Sequence, residues 1–131
     1  MPIQVGLSFT CETVADKTNV ASTVGSGSID VFATPMMIAL MEKAACECIA
    51  ADLEPGQSSV GTKIDVAHTA ATPVGMKVAA TATVTTVDRR RVDFEVTASD
   101  ECGEIGRGTH CRFIIDTDKF LEKVLEKRAA K

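Results

Sequence analysis

The stretch Val31-Phe32-Ala33-Thr34-Pro35-Met36-Met37-Ile38-Ala39-Leu40-Met41-Glu42-Lys43-Ala44-Ala45-Cys46-Glu47-Cys48-Ile49-Ala50-Ala51 decides how the rest of the chain must be arranged. Thr34 is placed to cap the free amides of a first helical turn, and Pro35 suits the first helical position, where a missing amide hydrogen costs nothing. No Gly or further Pro interrupts the residues from Met36 to Ala51. At about 100° per residue, Met37, Leu40, Met41, Ala44, Cys48 and Ala51 share one face, and Lys43 and Glu47 share another. Glu42 does not join the polar stripe; it falls among Ile38, Ala45, Cys46 and Ile49. So narrow a polar stripe predicts a helix wrapped on most sides, as inside a curled sheet. A carboxylate in its apolar sector is the first sign of function.

The 131 residues predict one domain, spanning 1–131. A net charge of −4 does not point to nucleic acid as the partner, and an aromatic fraction of 4%, with no Trp or Tyr, argues against base-stacking platforms. No apolar run approaches the roughly 20 residues that span a bilayer. Met1-Pro2-Ile3-Gln4-Val5 lacks a basic region followed by an apolar one, so no signal peptide and a cytoplasmic location are expected. The five cysteines, Cys11, Cys46, Cys48, Cys102 and Cys111, fit neither a disulfide framework nor a zinc pattern. Free thiols in a reducing compartment and no metal site are expected.

Around the helix the pattern is that of strands. Leu7 to Val14 alternates weakly and predicts an edge strand. Asp16 to Asp30, rich in Thr, Ser and Gly, reads as a flexible connection. The helix should stop near Asp52-Leu53-Glu54-Pro55-Gly56. Beyond Ser58 the period becomes two. Val60, Thr62, Ile64, Val66 and His68 predict one face of a strand. Met76, Val78, Ala80, Ala82 and Val84 predict the inner face of a second, and Val92, Phe94, Val96 and Ala98 that of a third. Ile105, Thr109, Cys111, Phe113 and Ile115 predict a fourth, in which Gly106 and Gly108 suggest a bulge or the close approach of a ligand. Asp118 to Lys131 reads as a short, charged, frayed helix. Short turns imply antiparallel pairing. About five strands leave open edges around such a helix, so pairing with a second copy is expected.

This α+β order, a long helix gripped by a curved antiparallel sheet, matches the hotdog fold. The chain resembles the fluoroacetyl-coenzyme A thioesterase group of hotdog thioesterases. The resemblance rests on Val31-Phe32-Ala33-Thr34, Leu40-Met41-Glu42, Leu53-Glu54-Pro55-Gly56, Gly61-Thr62, His68-Thr69-Ala70-Ala71-Thr72-Pro73, and Glu104-Ile105-Gly106 with Gly108-Thr109-His110. It implies hydrolysis of an acyl-coenzyme A (acyl-CoA) thioester by a homodimer or a tetramer built from such dimers, with no cofactor beyond the coenzyme A of the substrate. It implies Thr34, Glu42 and His68 as catalytic residues. Gly61 and Arg112 would shape the acyl or coenzyme site, and Phe32, Thr69 and His110 would line it. Fluoroacetyl-specific members carry aromatic residues ahead of the Phe-Ala-Thr motif that gate a small acyl group. Gly25-Ser26-Gly27-Ser28-Ile29-Asp30 has none, which implies a more open pocket.

Bland readings stand beside these roles. Thr34 is also a plain helix cap, and the two roles agree, since the positive helix end favours an oxyanion. Thr34 and Glu42 lie about 12 Å apart along one helix. Either the chain bends, or partner subunits contribute, or one residue acts indirectly. His68, at a strand end before a turn, has the proton affinity to work near neutral pH. His110 shares a face with Gly108 and Arg112, and either lines the cleft or packs. Arg89-Arg90-Arg91 is a solvated turn whose guanidinium groups could also meet the phosphates of coenzyme A. A non-catalytic acyl-thioester binding protein and a hotdog hydratase are the alternatives. The first predicts ligand binding without thiol release. The second needs an Asp-His arrangement that is not seen.

Overall fold

The computed structural model describes residues 2–129. In chain order its elements are β1 (Ser8–Val14), α1 (Ala21–Val24), α2 (Thr34–Ala50), β2 (Gln57–His68), β3 (Lys77–Asp88), β4 (Arg91–Asp100), β5 (Gly103–Asp116) and α3 (Thr117–Ala129). The strands form one sheet in the order β1-β3-β4-β5-β2, antiparallel throughout. The sheet's inner face grips α2, which buries Met37, Leu40, Met41, Ala44, Ala45, Cys48 and Ile49. The facing residues Val78, Ala80, Ala82, Val84, Val92, Phe94, Val96 and Ala98 are almost wholly excluded from solvent, as their period of two predicts.

Four expectations need correction. Thr34 does not cap α2. Ala33 holds the capping position without a side-chain bond, Thr34 opens the helix, and its hydroxyl turns elsewhere. The segment Asp16 to Asp30 is not a loose connection. It buries Asn19, Val20 and Ala21, contains α1, and pairs Val20 with Phe32. The Asn19 amide closes it locally, accepting from Asp16 N–H at 2.9 Å and donating to Val14 O at 3.0 Å. Short polar side chains organise a turn in this way when they bond nearby backbone.

The other two corrections concern parity. Pairing of β2 with β5 slips between Gly61 and Lys63, so the inner face runs through Ser59 and Gly61 and then through Ile64, Val66 and His68. Val60 and Thr62 are on the other side. In β5 the slip lies between the pairs Ala98↔Gly106 and Ser99↔Glu104. Ile105 is buried, but beyond it the inner positions are Gly106, Gly108, His110, Arg112 and Ile114, whereas Phe113 is exposed. A single extra residue moves every later side chain to the opposite face. The bulge turned the polar pair inward and the apolar Cys111 and Phe113 outward, against the hydrophobic pattern.

Gly106 and Gly108 serve close approach within the fold rather than to a ligand. A Cβ on Gly106 would lie 2.7 Å from Met37 Sδ and 2.6 Å from Ala67 O, and one on Gly108 would collide with the backbone of Asp65 and Val66. The bare backbone at Gly106 leaves room for Met37 of α2, and that at Gly108 for the neighbouring strand β2. Gly108→Ala must displace backbone rather than a side-chain tip. It should lower stability by about 2–3 kcal/mol, read as a lower denaturant midpoint at unchanged m-value.

Candidate active site

The loop from Thr69 to Met76 must carry the chain from edge strand β2 across to β3. On the way it is tied to the entry of α2. Phe32 N–H donates to Thr72 O at 2.9 Å, Val31 bridges to Pro73, and Ala33 N–H donates to Asn19 O. Thr72 is fully buried and donates to Asp100 Oδ2 at 2.8 Å; the Cys102 N–H, and after it this bond, hold the Asp100 carboxyl below its ordinary pKa. Thr69 and Ala70 both donate their backbone N–H to Ile105 O. These ties bring the first residue of α2 against the last residue of β2.

The result is a hydroxyl–imidazole pair: Thr34 Oγ1 and His68 Nδ1 are 2.7 Å apart. The other ring nitrogen, His68 Nε2, is buried and has no hydrogen-bond partner among the described residues. Such an orphan is costly unless a group from outside completes it. The pair opens into a cleft of about 270 Å³, walled by Ala21, Ser26, Phe32, Ala70 and Ala71. Ser26 brings the Gly25–Asp30 segment to the cleft, and Phe32, almost wholly buried, supplies its one aromatic wall. The Thr69 hydroxyl also lines the cleft but donates to Ile105 O at 3.3 Å.

Glu42 is elsewhere. Its carboxylate lies over Gly61, where a Cβ would stand 2.8 Å from Glu42 Oε2, 3.1 Å from His110 Cε1 and 3.4 Å from Arg112 Nη1. His68 is seven residues further along β2, about 20 Å at strand rise. Within one protomer, Glu42 and His68 therefore do not meet. The candidate residues fall into two groups: Thr34 with His68 and Thr69 at the helix start, and Glu42 with Gly61, His110 and Arg112 two turns along.

The second group is a buried polar network. His110 Nδ1 lies 2.8 Å from the Lys63 carbonyl, which can only accept, so this nitrogen carries the proton. Nε2 is then free to accept from Arg112 Nη1 at 3.2 Å. Burial and the Arg112 charge push His110 below its ordinary pKa, against the opposing pull of Lys63 O and Glu42. Arg112 is anchored from its other side by Ser59, through Oγ at 2.9 Å and O at 3.0 Å. Ser59 escaped sequence reasoning because only the slip at Gly61–Lys63 puts it on the inner face. Burial raises the thiol pKa of Cys11, Cys48 and Cys111, so none is disposed to act as a thiolate. Among the described residues, no three His, Cys, Asp or Glu side chains gather as a metal site requires.

A long helix wrapped by one curved antiparallel sheet, with a polar pair at the helix start, defines the hotdog class, and comparison with known proteins agrees. A hot-dog-like protein from Thermanaerovibrio acidaminovorans superposes with a TM-score of 0.86 at 26% identity, over 94% of this chain and 91% of that one. The family model for fluoroacetyl-CoA-specific thioesterase matches residues 14–118, and the chain belongs to that family. It is thus a thioesterase. The fluoroacetyl-CoA thioesterase of Streptantibioticus cattleyicolor is 48% identical over 101 residues, 77% of this chain and 73% of that protein. A structure of a fluoroacetyl-CoA thioesterase superposes with a TM-score of 0.91 at 40% identity, over 97% and 98% of the two chains. A mutant of such an enzyme in complex with fluoroacetate and CoA superposes with a TM-score of 0.85 at 40% identity, over 90% and 99%.

Two predictions follow from the second group. In Gly61→Ala the new Cβ meets the movable tip of Glu42 rather than backbone. Melting temperature should change by no more than a few degrees, while the displaced carboxylate lowers kcat by at least about tenfold. His110 is held below its unfolded pKa, so the unfolded chain takes up a proton first as pH falls. The stability this group contributes is whole above about pH 6.5 and is lost below it. His110→Asn retains a donor for Lys63 O and should flatten the decline in melting temperature between about pH 7 and 5.

Proposed function

We propose that the chain hydrolyses the CoA thioester of a short acyl group, at a site completed across a homodimer. The observation that carries this reading is the Thr34–His68 pair with its unsatisfied outer nitrogen. A hydroxyl bonded to an imidazole, itself oriented by a third group, is the general form of an activated nucleophile. Glu42 cannot be that third group within its own chain. It is only half buried, however, on a helix face not wholly covered by its own sheet. In a two-fold dimer each subunit would offer its Glu42 to the other's His68.

In this mechanism Thr34 Oγ1 donates to His68 Nδ1, and His68 Nε2–H donates to Glu42 of the partner subunit. As Thr34 Oγ1 adds to the thioester carbonyl, its proton passes to Nδ1. The positive end of α2 favours the oxyanion. The C–S bond breaks, and the CoA thiolate takes the proton from His68. Water then attacks the threonyl ester, again giving its proton to His68. The free acid departs and Thr34 recovers its proton. The partner's carboxylate stabilises the imidazolium in both halves. No redox change occurs, and water is the second substrate. Arg112, buried and held by His110 and Ser59, lies beside Glu42 and lends that half of the site positive charge.

The small side chains around the cleft favour a short acyl chain. No aromatic side chain from 25–30 covers it, which favours a range of short acyl groups over strict selection of one. The relatives named for fluoroacetyl-CoA support the thioester class. The absence of a described helix long and apolar enough to cross a membrane agrees with action on a water-borne thioester.

Thr34→Ala and Glu42→Ala should each lower kcat with acetyl-, propionyl- or fluoroacetyl-CoA by about 100-fold or more. Co-expressed, the two variants should recover about a quarter of native activity, because half of the dimers are mixed and each holds one intact site. Thr34→Ala with His68→Ala should recover none, since both residues belong to the same half. No turnover of any short acyl-CoA by folded dimer would remove the hydrolase reading. Failure of the first mixture to recover would remove the shared site.

A further inference from the structure

The turn between β3 and β4 has a residue that its backbone does not suit. Asp88 ends β3, Arg91 begins β4, and Arg89 between them has a φ of +58°. It is the one non-glycine residue with positive φ among those described. Such a position favours Gly or Asn, because a Cβ there crowds the backbone. Strain of this kind persists where a side chain has a use. Arg90 and Arg91 follow, and all three are exposed. Arg90 reaches Asp116 at 3.4 Å, and Arg91 reaches Asp93 at 3.5 Å and Asp88 at 4.0 Å; exposed pairs of this length are weak. Arg89 has no ion pair among the described residues.

Phe113 lies directly across from Arg91 in the ladder and is 41% exposed. Between its ring and the turn is a cleft of about 450 Å³, lined by Asp88, Arg89, Arg90, Arg91 and Phe113. Guanidinium groups suit phosphate, and both an aromatic face and a guanidinium plane suit a nucleobase. The chain as a whole carries −4, so a polyanionic substrate needs a local positive surface to settle on. The cleft is also placed for this. Phe113 is next to Arg112 on β5, and Val60↔Phe113 is the ladder step beside Gly61↔Arg112. The turn therefore lies at the same level of the sheet as the half that contains Glu42, with Phe113 on the outer face.

We propose that the Arg89–Arg91 turn and Phe113 form the subsite for the 3′-phosphoadenosine end of coenzyme A, with phosphate on the Arg89 guanidinium and adenine on the Phe113 ring. This rests on the acyl-CoA reading above and adds where the nucleotide is held: on the subunit that lends Glu42, not on the one that supplies Thr34 and His68.

Arg89→Gly is the informative variant, because glycine fits the turn while the guanidinium is lost. Its melting temperature should rise by about 2 °C. Its KM for acyl-CoA should nevertheless rise about three- to tenfold, with kcat unchanged. Phe113→Leu should move KM in the same direction. The matching acyl-pantetheine thioester, which lacks the nucleotide, should be hydrolysed equally by native and variant proteins. In a direct titration, adenosine 3′,5′-bisphosphate should bind the native dimer and bind Arg89→Gly several-fold more weakly. An unchanged KM for acyl-CoA, an equal loss on acyl-pantetheine, or equal affinity of native protein for 5′-AMP and the bisphosphate would overturn the assignment. If native protein cleaves neither thioester, the hydrolase reading fails, and the bisphosphate titration alone decides the nucleotide subsite.

Discussion

Everything at the helix start depends on one tether, the backbone bond from Phe32 N–H to Thr72 O, with the Val31–Pro73 bridge beside it. The crossing from one edge of the sheet to the far side is eight residues long and would otherwise be free to wander. Held at its middle both by α2's entry and by the buried Thr72–Asp100 bond, it leaves β2 in a fixed direction. His68 is the last residue before that departure. Its ring therefore meets the first hydroxyl of the helix, although the two lie 34 positions apart in the chain. A hydroxyl–imidazole pair built on two backbone-anchored elements needs little reorganisation to meet a substrate.

The second polar group obeys a different constraint. Burying an arginine and a histidine against a helix is expensive unless each donor finds an acceptor. Here Lys63 O fixes the imidazole tautomer, the imidazole accepts from Arg112 Nη1, and Ser59 accepts from Arg112 Nε and Nη2. Gly61 leaves the space into which Glu42 reaches. Among the described residues the buried nitrogens of this network have partners within the chain, whereas His68 Nε2 has none. One half is complete and the other has an orphaned nitrogen, and that asymmetry gives the dimeric reading its physical content.

Much of this was legible before any coordinates. The alternation in β3 and β4 named their buried residues one by one, because both strands keep a strict period of two across the buried residues that face α2. The apolar helix pointed to a wrapped element, and Glu42, set apart from its polar stripe, lies over Gly61 of β2. Other features were not legible. Thr34 read as a cap, since a Thr before Pro ordinarily is one, yet its hydroxyl serves His68. The Ser- and Gly-rich run ahead of the helix read as loose, because its order comes from Asn19 bonding the backbone rather than from any hydrophobic period. Ser59 was invisible, and Phe113 was turned to the wrong side, because each lies past a one-residue slip.

The amino-acid sequence by itself determined which segments become strand and helix, which face of the central strands is buried, and the family from its motifs. These follow from local period and from residues whose spacing is preserved in the line of the chain. Only the tertiary structure decided which residues meet. Thr34 finds His68 and not Glu42 because a helix advances about 1.5 Å per residue and a strand about 3.3 Å. Residues that look adjacent in a motif list thus separate into two clusters, one at each end of the same strand. The bulges decided the rest, since no composition signal marks where one extra residue will reverse a face.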